Sequence, residues 1–426
     1  MRVLVTNAQK IHTYEIIRCL RPHSERIVTA MDHGDRHADY SRHVDARYEV
    51  RPPSIPDAAP RNSATDPGYL EDILDICRRE KIDTVFPSRE PDLYILSKNK
   101  SVLEGLDILL VAPDHDVLRI ALDKSETIRL AQQIGFPCPN TRVPRCKADV
   151  ISFADETGPP WVVKPRHTSG SAGLEFARDR TELVEKFEFV NQRYLRPMIQ
   201  EYVPGKEMQN FYIMADANSG VHNMLCPKIV RYQRRLYRNS TAACLSSSEH
   251  PCRAKVEELV RALRLHGAIT VQTKVDARDG VLRLMEVNPG VRTHAWYKTG
   301  LGINDPLLSV LAAKGATLPE VDAPAKKLLF LDPLEDLAWF VPELTDLLVF
   351  RFMTSVLRRQ PIDPLCAPPS LREFAWSYVD NYFGAHKRFY SPQFRFFLSD
   401  PRPNWEFLLG YTRNAARRMK KAGQWI

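Results

Sequence analysis

The first 112 residues alternate between short apolar runs and stretches with an apolar residue every three or four positions. "RVLVT" (2–6) and "RIVTA" (26–30) are apolar enough to be strands buried on both faces. "IDTVFPS" (82–88) and "LDILLVAP" (106–113) repeat that pattern. Between them, "TYEIIRCL" (13–20) carries Ile16, Ile17 and Leu20, and "YLEDILDICRREK" (69–81) carries Leu70, Ile73, Leu74 and Cys77, which is helical spacing. Pro-rich "RPPSIPDAAP" (51–60) reads as loop. This alternation predicts a small doubly wound α/β domain over residues 1–112. The first strand-to-helix turn, "TNAQKIHT", lacks Gly-x-Gly-x-x-Gly, so no dinucleotide site is expected there.

The pattern changes after residue 113. One helix is predicted over "DVLRIALDKSETIRLAQQIG" (116–135), stopped at Gly135 with Pro137 and Pro139 beyond it. "PWVVKPRHTSGSAGLEFAR" (160–178) reads as strand, Gly/Ser loop, strand, and "MIQEYVPGKEMQNFYIMAD" (198–216) as strand, turn, strand. "AITVQTKVDARDGVLRLMEVNPG" (268–290) reads as a hairpin around "ARDG". Residues 113–320 are therefore expected to be antiparallel α+β. Residues 321–426 hold 19 of the 39 aromatic residues, too many for a disordered tail. A mainly helical region is expected there, with an apolar helix "LTDLLVFRFMTSVLRR" (344–359) and a basic one at "RNAARRMKKAGQWI" (413–426).

Composition narrows the class without naming a function. A chain of 426 residues, 44% hydrophobic and 26% charged, suits a globular protein of two or three domains. The net charge of +8 reads as spread along the chain and is compatible with phosphate ligands or an anionic membrane surface. Nucleic acid is not expected, because the basic residues are not interleaved with aromatics in an RNA-binding pattern. None of the eight cysteines forms Cys-x-x-Cys, and no Cys/His cluster has zinc spacing. The N-terminus begins a strand at once, and no run of 18 apolar residues exists. The expectation is a cytoplasmic protein with free thiols.

Three stretches carry candidate chemistry. In "VVKPRHTSGSAGL" a strand delivers Lys164 beside Ser169, Gly170, Ser171 and Gly173, small residues that let backbone N–H groups approach phosphate oxygens. The loop lacks Walker spacing, and such loops often only connect strands. In "IQEYVPGKE" (199–207) the backbone beside Pro204-Gly205 suits the edge of a purine, and the Glu207 carboxylate suits ribose hydroxyls. The plain alternative is a hairpin with surface acids. In "LRLMEVNPGVR" (282–292), Glu286 and Asn288 lie two residues apart on one strand face, and Gln272 on the preceding strand suits the same side. Such oxygen donors fit Mg²⁺, with Arg292 placed for a phosphoryl group or a carboxylate. The plain alternative is a strand running into an Asn-Pro turn.

The order Lys124, Lys164, Gly/Ser loop, Glu201-Tyr202-Val203, Glu207, Gln272, Glu286-x-Asn288-Pro289 resembles the ATP-grasp superfamily, and within it the carbamoyl-phosphate-synthase large-chain-like branch. The helix "IALDKSETIRLAQQIGFPCP", the strand "VVKP", the hinge "QEYVPGKE" and the strand "MEVNP" carry the likeness, which covers about residues 1–320. It implies a pre-ATP-grasp domain (1–112), a two-lobed ATP-grasp domain (113–320, lid lobe about 136–204) and a separate C-terminal region (321–426). It implies ATP and Mg²⁺ (or Mn²⁺) as cofactors. Lys124 and Lys164 would sit on the phosphates, residues 168–173 would form a lid, and Glu201, Tyr202 and Val203 would meet adenine. Glu207 would hold the ribose, and Gln272, Glu286 and Asn288 the metal. Lys228, in "CPKIVRYQRR", would lie near the γ-phosphate.

Two departures stand out. Gly290 occupies the place where the family usually has arginine, with Arg292 nearby, and Gln272 stands where many members have an acid. With fewer carboxylates, Mg²⁺ would be held mainly through ATP. The implied activity is an ATP-dependent carboxylate–amine ligase that works through an acyl phosphate; the alternative is a catalytically degenerate ATP-binding scaffold. A full carbamoyl phosphate synthase, which resembles two fused copies, and a biotin carboxylase are both less favoured. Segments 231–248 and 291–299, with Arg235, Arg238, Arg292 and His294, are candidates for an acceptor pocket. Expected partners are small or carrier-linked acid and amine substrates, with a homodimer and a peripheral membrane or carrier contact through the C-terminal region as further expectations.

Overall fold

The structure is a computed structural model. It describes residues 1–8, 11–32, 38–53, 68–168, 172–205, 207–233, 240–245, 249–291, 295–321 and 329–331. Beyond these it describes 340, 344, 347–348, 351–352, 356, 370–383, 389–390 and 400–403. Five short strands open the chain: β1 (Arg2–Thr6), β2 (Arg26–Met31), β3 (Ala46–Glu49), β4 (Thr84–Phe86) and β5 (Leu109–Leu110). They form a parallel sheet in the order β3-β2-β1-β4-β5. Helices α1 (Ile11–Leu20), α2 (Tyr69–Glu80), α3 (Glu90–Lys98) and α4 (Lys100–Glu104) complete this part. Alternate residues of β1 serve two cores: Val3 and Val5 pack with Ile16, Ile17 and Leu20 of α1, while Leu4 packs with Ile73 and Ile76 of α2. Burial on both faces is why β1 reads as a continuous apolar run.

The predicted single helix over 116–135 is two helices, α5 (His115–Leu122) and α6 (Lys124–Gln133). Asp123 breaks them with an extended backbone, and its carboxylate accepts from Ser125 N and Glu126 N as the N-cap of α6. The signal lay in "DKSE", an N-cap acid with Glu three residues on.

Next come β6 (Thr141–Arg142), α7 (Lys147–Glu156), β7 (Trp161–Lys164), β8 (Glu175–Ala177), α8 (Arg180–Arg193) and β9 (Met198–Glu201). They build an antiparallel sheet in the order β6-β9-β7-β8. A second antiparallel sheet, β11-β10-β14-β15, is made by β10 (Met208–Ala215), β11 (Val221–Leu225), β14 (Gly267–Val275) and β15 (Leu282–Pro289). Residues 198–216 are thus not a hairpin, because β9 and β10 belong to different sheets and the Pro204-Gly205 segment passes between them.

The strands β12 (Lys228–Gln233) and β13 (Ser240–Leu245) pair with each other, and α9 (Arg253–Leu263) follows them. Helices α10 (Ala295–Gly300) and α11 (Asp305–Ala313) come after β15. The C-terminal region contributes more than helix. Its strands β16 (Leu329–Leu331) and β17 (Phe389–Tyr390) extend the β12–β13 pair into a four-stranded sheet, alongside helix α12 (Leu371–Phe383). The expected basic helix at 413–426 lies outside the described residues. No helix among the described residues is long and apolar enough to cross a membrane.

Candidate functional site

The β10–β14–β15 sheet has one apolar and one polar face. Phe211, Ile213, Ile269, Val271, Leu282, Leu284 and Val287 point into a core with α5, α6 and α9. On the other face Asn210, Gln272 and Glu286 lie directly across from one another, and Tyr212, Thr270 and Asn288 form the next row. Strict alternation would put Glu286 on the same side as Leu284. The register shifts between Gln272 and Thr273, so that Gln272 faces Glu286 while Thr273 faces Leu284, and Met285 is the extra residue of a bulge. That bulge lets Leu284 and Val287 share the core and turns Glu286 and Asn288 outward together. Asn288 Nδ2 donates to Glu286 Oε1 at 3.0 Å.

Two lysines converge on this face. Lys124, at the first position of α6, places Nζ 3.8 Å from Glu286 Oε2 and also donates to the Thr168 carbonyl. Lys164, at the end of β7, is almost fully buried. Burial pushes its ammonium down to about 8; Lys124 pushes the same way and Glu286 opposes. A loop containing Arg166 ties the pieces together. Its carbonyl accepts from Lys124 N at 3.1 Å, and its guanidinium donates to Asp123 and to Ser125 Oγ. His167 Nε2 stands 3.6 Å from the same carboxylate. Burial alone would raise the Asp123 carboxyl, but hydrogen bonds from Arg166 and Ser125 hold it below the usual range. Asp123 and Arg166 were missed by the sequence reading; the N-cap pattern was the signal for the first, and nothing local marked the second.

Of the loop residues, Ser169, Gly170 and Ser171 lie outside the described residues, while Thr168 Oγ1 donates to Ala172 O at 3.0 Å across the loop. Gly173 follows with its neighbours Tyr194 and Pro165 close by.

The hinge residues serve through both main chain and side chain. Glu201 N donates to Asn140 O at 2.9 Å and Tyr202 N to Pro160 O at 3.1 Å. The Glu201 carboxylate accepts from Asn140 Nδ2 at 3.0 Å and from Arg278 at 3.2 Å. Arg278 also bonds Asp276, so the turn of the β14–β15 hairpin is tied to the other sheet. Val203 is buried, and Lys274 Nζ lies 4.7 Å from the Tyr202 ring centre. Glu207 is exposed; its carbonyl accepts from Val275 N at 2.9 Å. Burial lowers the nearby His250 imidazole, and the Glu207 carboxylate partly offsets this.

Lys228 stands exposed at the start of β12 and makes no hydrogen bond or ion pair with the other candidates among the described residues. Arg235, Arg238, Arg292 and His294 lie outside the described residues. Gly290 has a positive φ of 90°, and a Cβ there would stand 3.3 Å from Leu93 Cδ1. A left-handed turn against α3 accounts for glycine at this position. Past it, Lys298 is fully buried, 3.1 Å from Asp305 and bonded to Asn223 Oδ1 at 2.7 Å. Tyr297 stacks between Tyr212, at 5.6 Å, and Phe330 of β16, at 4.9 Å. The polar sheet face therefore connects through aromatic rings to the C-terminal region.

Another residue was not foreseen. Asn7 ends β1 at the point where the strand order of the parallel sheet reverses. It has φ 59°, is 2% exposed, and neither side-chain polar atom has a hydrogen-bond partner among the described residues.

Residues 123–321 match the family described as carbamoyl-phosphate synthase L chain, ATP binding domain. That segment is an ATP-grasp domain. Residues 58–111 match the PylC-like N-terminal domain, so an ATP-grasp fold follows a PylC-like N-terminal domain.

Solved structures agree in fold. Biotin carboxylase from Campylobacter jejuni, as a beta-gamma-ATP complex, aligns with TM-score 0.61 at 15% identity, over 75% of this chain and 72% of that one. N5-carboxyaminoimidazole synthetase from Staphylococcus aureus aligns with TM-score 0.60 at 12% identity, over 81% and 86%. The biotin carboxylase domain dimer of Hydrogenobacter thermophilus 2-oxoglutarate carboxylase, in complex with MgADP, ADP and bicarbonate, aligns with TM-score 0.59 at 18% identity, over 75% and 71%.

The donor set on the polar face suits Mg²⁺. One carboxylate and two amides are hard oxygen donors, and two of them adjoin on one strand face. Among the described residues no group of three or more His, Cys, Asp or Glu could hold a metal.

Proposed function

We propose that the protein is an ATP-dependent carboxylate–amine ligase. A single observation carries the reading: Lys124, Lys164 and Glu286, delivered by a helix and two different sheets, meet on one polar face of an ATP-grasp domain. Lys124 and Lys164 would neutralise the triphosphate, and the main chain at Glu201–Val203 would meet adenine. Glu207 would take the ribose, and residues 168–173 would cover the phosphates. Gln272, Glu286 and Asn288 would hold Mg²⁺, which supplies fixed positive charge between substrate and nucleotide.

A substrate carboxylate oxygen then attacks the γ-phosphorus, the bond to the β–γ bridging oxygen breaks, and ADP leaves. The amine nitrogen attacks the acyl carbon, phosphate departs, and the nitrogen gives up its proton. Lys228 and Arg292 are assigned to the phosphoryl group or the substrate carboxylate.

The acceptor is assigned to the crevice at the end of β1. Ligands of open parallel sheets bind where the strand order reverses, and Asn7 there offers one donor and one acceptor. Leu93 of α3 brings this part of the N-terminal domain against Gly290, two residues from Asn288. The domain limits 1–112, 113–320 and 321–426 belong to the same reading, as do a homodimer and a C-terminal contact with a carrier or a membrane.

The test is ADP release from ATP and Mg²⁺ with pooled amino acids and small carboxylates, beside Glu286→Ala. ADP that depends on the pool and disappears in the variant supports the ligase. ATP binding with no ADP from any pool, carrier-linked acids included, would overturn it in favour of a scaffold.

A further inference from the structure

Eleven large apolar side chains are exposed among the described residues, and six belong to the C-terminal region. Leu348, Phe352 and Val356 occur at intervals of four, at 49%, 53% and 61% exposure. Val356 N donates to Phe352 O at 2.9 Å, so the stripe continues one helical turn. The inward side of these residues is already used: Leu347, Leu344 and Phe340 pack with Phe374 and Tyr378 of α12. On α12 the pattern repeats, with Trp376 and Val379 facing out at 56% and 43%. The described residues of 340–356 and of α12 thus each carry a second, outward apolar flank, where a surface helix would normally be polar.

The charge of this part of the sequence points to one partner. Residues 341–426 hold thirteen Lys and Arg against seven Asp and Glu, so this last fifth supplies most of the +8 net charge, which is not spread evenly after all. We propose that the flank of Leu348, Phe352, Val356, Trp376 and Val379 docks on an anionic lipid bilayer, lying in its interface. Apolar side chains would enter the headgroup–acyl boundary while arginines such as Arg351 reach lipid phosphates. A second copy of the same surface would bring like charges together and is disfavoured. This names the membrane in the proposed C-terminal contact and is independent of the chemistry at the ATP site.

The test is flotation of the full chain with phosphatidylglycerol-containing vesicles and with pure phosphatidylcholine vesicles, at low and high salt. The expected result is binding to the anionic vesicles at low salt, at least roughly tenfold weaker on the neutral ones and at high salt. Phe352→Glu with Val356→Glu should abolish it, while a thermal-shift assay with ATP confirms that the variant remains folded. Absence of flotation with anionic vesicles, equal flotation with both, or undiminished binding of the double variant would overturn the proposal. Loss of self-association in the variant without vesicle binding in the wild type would overturn it in favour of an interface between copies. ADP release is read separately, so a failed ligase assay leaves the flotation result intact.

Discussion

At the scale of single residues, the site is shaped by what burial does to charge. Lys164 is pushed down to about 8 from its usual value near 10.5 by burial and by Lys124. Below pH 8 it carries the proton that the phosphates need. ATP affinity should therefore weaken as pH rises through 8, and binding at that pH should draw a proton from solution, which calorimetry in buffers of different ionisation enthalpy would detect. The sign for stability is opposite. Between the folded and unfolded values the unfolded chain holds more protons, so the ATP-free protein should gain stability as pH rises through that window. Asn7 has a different problem, two buried polar atoms without partners among the described residues, which is costly unless something fills the space. Asn7→Ala should raise the KM for the acceptor at least several-fold while leaving the KM for ATP unchanged. Equal effects on both would contradict the assignment of the acceptor crevice.

At the scale of elements, the joints matter more than the strands. Asp123 caps α6, and it also holds Arg166 and His167. Asp123→Ala removes the cap and leaves a mostly buried guanidinium without its carboxylate, a loss of about 2–4 kcal/mol. Asp123→Asn, which keeps an acceptor for the cap, should lose less; chemical denaturation would rank the two. The Pro204-Gly205 hinge depends on its glycine. Gly205 has φ 111°, and a Cβ there would meet Ala277 Cβ and Val275 O at 3.1 Å. Gly205→Ala should cost about 1–3 kcal/mol and weaken ATP binding, because the chain between the two sheets would have to shift. An unchanged melting temperature and ATP affinity would show that the hinge relaxes freely.

At the scale of the whole molecule, the C-terminal region is built into the domain that precedes it. β13 pairs with β16, and Phe330 stacks on Tyr297, whose ring leads to Tyr212 on the polar sheet face. Asp400 accepts from Ser41 Oγ at 2.6 Å, and Arg402 lies over the Tyr40 ring at 4.1 Å, so the chain also returns to the N-terminal domain. A chain cut after residue 320 would expose the edge of β13 and the Tyr297 ring. It should aggregate or melt at lower temperature than the full protein. A soluble truncated chain with unaltered melting would show that the region is an appendage.

The sequence by itself determined the βα rhythm of the N-terminal part, the antiparallel character of residues 113–320, and the line of Lys124, Lys164, Glu286 and Asn288. The first two come from the side chains inside each window, because burial of one face dictates the spacing of apolar residues along the same strand or helix; the line of site residues came from its resemblance to a known family. Tertiary structure decided the rest. The bulge at Met285 turned Glu286 away from Leu284, Arg166 closed on Asp123 beside Lys124, and the two halves of "MIQEYVPGKEMQNFYIMAD" went to different sheets. Each depends on a partner far along the chain: Gln272 for the bulge, Arg166 for Asp123, and β7 and β14 for the two strands. Local periodicity carries no information about such partners, since the energy that fixes them is released only when distant segments pack.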